Sequence, residues 1–89
     1  MRAIVTVIGK DRVGIIASVC SLLAENGVNI LDITQTVLQE YLTMIMLVDV
    51  SGCTAPFVDL TKSLERRGVE QSLSIRIQRE DIFEAMHRI

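Results

Sequence analysis

The sequence predicts an α+β fold in which two helices cover one face of a four-stranded antiparallel sheet. Three observations predict it. Runs rich in β-branched residues alternate with amphipathic helical runs in the order β-α-β-β-α-β. The first and third strand-like runs are apolar on both faces, whereas the second and fourth alternate apolar with polar. Glycine, asparagine or proline stands at most of the junctions.

Residues 2–8, RAIVTVI, form the first strand and stop at Gly9. Ile4 and Ile8 lie on one face and Val5 and Val7 on the other, which suits a central strand. Residues 13–26 form the first helix. Ile16, Val19, Cys20 and Leu23 follow helical spacing, and Ile15 and Leu22 widen the stripe. Asp11 is the expected N-cap, and Asn26-Gly27 the left-handed stop. In residues 28–38, Leu31, Ile33 and Val37 fall on one side and Ile30, Asp32, Thr34 and Thr36 on the other. So polar a strand suits a sheet edge.

Gln39-Glu40 turns the chain into a strongly apolar third strand, residues 41–50. After the loop SGCTAP, Pro56 opens a second helix whose inner stripe is Phe57, Leu60, Thr61 and Leu64. Asp59, Lys62, Ser63, Glu65 and Arg66 face water, and Gly68 is expected to end the helix. The simplest reading of Arg66-Arg67 is a solvated cationic helix end, not a phosphate clamp. Leu73, Ile75 and Ile77 alternate with Ser74, Arg76 and Gln78 in a last edge strand over 72–78. REDIFEAMHRI then reads as a short tail helix with Ile82, Phe83, Met86 and Ile89 on one side. The order is the split β-α-β, ferredoxin-like plan, with the sheet ordered 4-1-3-2.

Eighty-nine residues make one domain, with a core over 1–79 and a tail helix over 80–89. With 49% hydrophobic residues in so short a chain, some apolar surface is expected to be covered by a second copy. The net charge is −2, the longest basic run is Arg66-Arg67, and Tyr41, Phe57 and Phe83 are the only aromatics. Nucleic-acid binding is therefore disfavoured. Cys20 and Cys53 are widely spaced and His87 is the only histidine, so no zinc-type ligand set and no thiol–imidazole pair is expected. The early apolar run is too short for a secretory segment, and no run approaches a membrane span. A cytoplasmic location is expected, without a cofactor.

The stretch from Gly9 to Ile15, GKDRVGI, raises the question of a phosphate loop. Gly9 and Gly14 have Walker spacing, but Ile15 and Ile16 stand where lysine and a hydroxyl residue would be needed. Nucleoside triphosphate chemistry is unexpected there. Free backbone N–H groups at the start of the first helix can instead receive a carboxylate, and the Asn29 amide can donate to one. Asp32 and Asp49 are too isolated to form a catalytic carboxylate pair.

The run GKDRVGIIASVCSLLAENGVNILDITQ, Gly9 to Gln35, resembles the signature half of an ACT domain. The shared features are a first strand ending in G-x-D-[RK]-x-G-[IL], an amphipathic helix, and N-[IV] opening the second strand. The whole chain resembles the small, stand-alone ACT proteins of bacteria and archaea of uncharacterised role, and is similar to the ACT domains of the glycine cleavage system repressor. The resemblance implies a regulatory module that binds small molecules, most often amino acids, and is not an enzyme. It implies ligand contacts at Asp11, Arg12, Val13, Gly14, Ile15, Asn29 and Ile30. It also implies a homodimer or higher homo-oligomer paired through strand 28–38 and helix 13–26, signalling through an unknown protein partner. A dimerisation or protein-interaction module with a vestigial pocket is the alternative.

Overall fold

The computed structural model describes residues 1–87, with side chains as far as Ala85. Seven elements follow in order: β1 (Arg2–Lys10), α1 (Ile15–Glu25), β2 (Asn29–Leu38), β3 (Tyr41–Asp49), α2 (Phe57–Gln71), β4 (Ser74–Arg79) and α3 (Glu80–His87). The sheet order is β2-β3-β1-β4, and every neighbouring pair is antiparallel. The two apolar strands are thus central and the two alternating ones are edges, as expected.

The core forms because one parity of each strand faces the helices. Ala3, Val5 and Val7 of β1 lie beside Val48, Met46 and Met44 of β3, and all are fully buried. Ile75 and Ile77 of β4 extend the row, and Val19 and Leu23 of α1 with Leu60 and Leu64 of α2 cover it. Each such side chain contributes about 1.5–3 kcal/mol by leaving water.

The opposite face of the sheet is not packed against α1 or α2, and Arg2 on it is ion-paired to Glu80 of α3. Ile8 is 49% and Ile45 is 41% exposed. The two-sided apolarity of β1 therefore places it centrally without burying both of its faces within one chain.

Four local expectations are corrected. Asp11 is not the N-cap of α1. The helix starts two residues later than expected, its N-cap is Gly14 at φ 93°, and no side chain caps it. In β2, the register shifts between Ile30 and Asp32, leaving Leu31 as the extra residue of a bulge. Ile30 pairs with Val48 and so faces the helices, whereas Asp32 pairs with Leu47 on the open face. The plain alternation over 28–38 missed this change of parity.

Gly68 does not end α2, which runs on to Gln71 and stops at the left-handed Ser72. Gly68 is buried, and a Cβ there would lie 2.7 Å from the Leu73 carbonyl oxygen, so close approach and not helix termination calls for glycine. Arg67, finally, is not simply solvated. It is half-buried and reaches across to α1.

The stop at Asn26-Gly27 is as expected. The Asn26 Nδ2 donates to the Leu22 carbonyl at 2.8 Å, and Gly27 takes φ 74°. The tail helix α3 rests against β1 and β4, anchored by a 2.6 Å ion pair between Arg2 and Glu80. The inward placement expected for Met86 and Ile89, and the His87 side chain, lie outside the described residues.

Candidate functional site

Residues 11–14 join the end of β1 to α1. The Asp11 N–H donates to the Glu40 carbonyl at 2.6 Å, which ties this loop to the β2–β3 turn. The loop therefore sits at the sheet end that holds Lys10, Tyr41 and Leu38, which pair across the strands. Gly14 then bends the chain through the left-handed region, and nothing lies within 4 Å of a Cβ built on it. Its role is conformational, not close packing against a strand.

The Ser18 N–H donates to the Gly14 carbonyl at 2.9 Å and closes the first turn. The N–H groups of Ile15, Ile16 and Ala17 have no acceptor among the described residues. They form the positive end of an eleven-residue helix.

Two shallow grooves flank this loop. One, of about 440 Å³, is lined by Arg12, Val13, Gly14 and Ile15 together with Glu70 and Gln71. The other, of about 550 Å³, runs along Lys10, Asp11 and Arg12 to Gln71 and Ser72. Asp11, Arg12, Val13 and Gly14 are exposed, and Ile15 is buried in the core. Arg12 donates to the Gln71 carbonyl, which lies at the negative end of α2.

The last turn of α2 is the part of this region that sequence reasoning missed. Gln71 Nε2 donates to the Ser18 hydroxyl at 2.8 Å, and Arg67 Nη1 donates to the same oxygen at 3.0 Å. One polar clasp thus joins α1, α2 and the loop. Only helix–helix packing brings Ser18, Arg67 and Gln71 together, so no local spacing announces them.

Asn29 and Ile30 are elsewhere. Asn29 pairs with Asp49, which pairs with Arg2, at the other end of the same strands. Eight residues of extended chain separate the Arg2 and Lys10 ends, about 27 Å. One chain therefore brings Asp11 to Ile15 together but does not bring Asn29 and Ile30 to them. Asn29 is exposed, and Ile30 packs half-buried on the core. Beside Asn29, hydrogen bonds from the Ser51 hydroxyl and then from its N–H hold the Asp49 carboxyl below the usual range. Burial pushes the Cys20 thiol up.

From residue 31 to Tyr41, every residue of β2 and its turn is exposed, including Leu31, Ile33, Val37 and Leu38. This is a long, unpaired edge of mixed apolar and polar side chains, with Ile16 of α1 also 38% exposed. No group of three or more metal-ligating side chains occurs among the described residues. No described helix is long and apolar enough to cross a membrane.

Fold and site together define a ferredoxin-like α/β sandwich with an open helix N-terminus at one sheet end and an exposed edge strand. The chain belongs to the ACT domain family, whose model matches residues 2–78. It is 54% identical over 89 residues to a UPF0237 protein of Clostridium acetobutylicum, covering 100% of both chains. Among solved structures, it matches an ACT domain protein from Streptococcus pneumoniae with a TM-score of 0.82 and 47% identity, over 98% of each chain. It also matches the regulatory subunit of aspartate kinase from Thermus thermophilus, determined in a ligand-free form. There the TM-score is 0.66 and the identity 26%, over 86% of this chain and 50% of that one. ACT domains are regulatory, ligand-binding modules that commonly dimerise.

Proposed function

We propose that this protein is a homodimeric regulatory module of the cytoplasm that binds an amino acid. It has no catalysis of its own and signals through another protein. Residues 1–79 would be the binding domain and 80–89 an appended helix. The observation that carries this reading is the uncapped first turn of α1. Its three free N–H groups follow a left-handed glycine and open beside a groove. That arrangement suits a small carboxylate.

The distance from this loop to Asn29 supports the dimer. Pairing of two β2 edges about a twofold axis perpendicular to the sheet, which keeps both helix layers on one side, is antiparallel. It sets the Asn29 end of one copy beside the Leu38 end of the other, where the loop begins. Each ligand site would then combine Asp11, Arg12, Val13, Gly14 and Ile15 of one copy with Asn29 and Ile30 of the other. Pairing would also cover the exposed edge.

A second reading draws on Arg12, whose guanidinium is engaged by the Gln71 carbonyl instead of being held over the groove. On that reading the pocket is vestigial and the chain is a protein-interaction module. A thermal-shift and calorimetry panel of the twenty amino acids separates the two. Saturable binding by one of them, weakened by Asn29→Ala and by Gly14→Trp in a folded dimer, supports the sensor. A dimer that responds to none, yet still recovers a partner protein, supports the interaction module.

A further inference from the structure

Helix α2 carries an outer stripe that neither ligand binding nor edge pairing uses. Its Leu60, Leu64 and Gly68 are buried, and its Arg67 and Gln71 reach across to α1. Val58, Lys62, Glu65 and Val69 lie on the remaining side, and all four are exposed. Val58 is 61% and Val69 81% exposed, unusually open for valine. Lys62 and Glu65 have no ion-pair partner among the described residues, either in each other or in a neighbour. The tail helix α3 rests against β1 and β4, not against α2. Glu65 and Val69 overlook a groove of about 470 Å³ along β4, the sheet edge opposite β2.

The spacing makes this stripe informative. Steps of four, three and four residues separate its members, which is the spacing of a coiled-coil seam. The stripe is also self-complementary from end to end: valine, cation, anion, valine. We infer that it is a self-association surface, whose occupant is α2 of a second copy packed antiparallel. A twofold axis through the middle of the stripe brings together residues equally distant from that middle. Val58 of one copy then meets Val69 of the other, and Lys62 meets Glu65. Both apolar contacts and both ion pairs form in one alignment.

The alternatives lack this match. Parallel helices would set Lys62 on Lys62 and Glu65 on Glu65. An antiparallel alignment centred on either charge sets that charge on itself. The unpaired charges therefore select both the direction and the register of the pair.

At about 1.5 Å per residue the stripe is about 16 Å long. Three turns of one helix cover less than the roughly 800 Å² per partner of a stable complex. Association through α2 is accordingly weak and concentration-dependent. Because the stripe lies on the β4 side, it can join molecules already paired through β2, but it does not require that pairing.

Sedimentation equilibrium over a concentration series on the full chain tests this. Val69→Lys is expected to weaken the step at least about tenfold. Lys62→Glu and Glu65→Lys should each weaken it by about tenfold, because each sets like charges together twice. The double variant exchanges the two charges, keeps the match, and should restore association. Circular dichroism and melting should stay close to wild type in all four proteins, since every altered side chain is exposed. Ile33→Lys, on the β2 edge, should leave this step intact, which separates it from edge pairing. Identical concentration dependence for wild type and Val69→Lys overturns the inference. So does a double charge exchange that associates no better than either single variant.

Discussion

Gly14 and Gly27 both take left-handed conformations, yet their surroundings differ. At Gly14, φ is 93° and a Cβ would meet nothing within 4 Å. Gly14→Ala should therefore cost only the conformational penalty, about 1 kcal/mol. At Gly27, φ is 74° and a Cβ would lie 2.4 Å from the Gly52 carbonyl oxygen, a backbone atom that cannot swing aside. Gly27→Ala should cost clearly more, on the order of 2–3 kcal/mol. Urea unfolding of the two variants measures the difference, and equal midpoints would contradict the close approach at Gly27.

Asp49 gives the residue scale its pH dependence. Its folded-state pKa is depressed by Ser51, so its contribution is complete above the ordinary aspartate range. The contribution is lost as pH falls through the lowered folded value. Asp49→Asn should thus melt below wild type at neutral pH, and the gap should close in strong acid. Melting curves across the acid range check this. A gap that persists unchanged at the lowest pH would assign the effect to something other than the carboxylate charge.

At the scale of elements, the helices are joined by more than apolar contact. Ser18 of α1 accepts from both Arg67 and Gln71 of α2. Ser18→Ala should destabilise by about 1 kcal/mol, the usual net worth of such bonds. Ser18→Ala combined with Gln71→Ala should cost less than the two separately, because both remove one bond. Chemical denaturation of the four proteins in this cycle reads the coupling, and strict additivity would mean the clasp is not formed in solution.

The elements also show what the sequence reveals and what it hides. Strand order was legible because central strands must be apolar and edges can be half polar, as in RAIVTVI against LSIRIQ. The bulge at Leu31 was not, because neither Leu31 nor Asp32 is a residue type that demands one. Gly68 resembled a terminator because its true constraint, the Leu73 carbonyl, comes from the chain reversal that follows Ser72. Asp11 failed as an N-cap because the chain turns left-handed at Gly14 before the helix begins. For the candidate site, the loop was legible in Gly9 to Ile15. Gln71 and Ser18 were not, since their meeting depends on how α1 and α2 pack.

At the scale of the whole molecule, the decisive fact is the separation of the two halves of the candidate site. Asp11 to Ile15 lie at one end of the sheet, and Asn29 and Ile30 at the other, about 27 Å apart. If the site spans a symmetric dimer, damage to the two halves can be sorted onto different chains. A Gly14→Trp homodimer loses both loops, and an Asn29→Ala homodimer loses both asparagines. In a mixed dimer, one site takes the damaged loop and the damaged asparagine together. The other site takes the intact loop of one chain and the intact Asn29 of its partner. Unfolding and refolding an equal mixture should thus restore about a quarter of the wild-type sites, at wild-type affinity. Titration calorimetry with the amino acid that binds wild type counts those sites directly. No recovery in the mixture, with mixed dimers verified by native mass spectrometry, would show that each site lies within a single chain. The roles of Asn29 and Ile30 would then be confined to the strand they open.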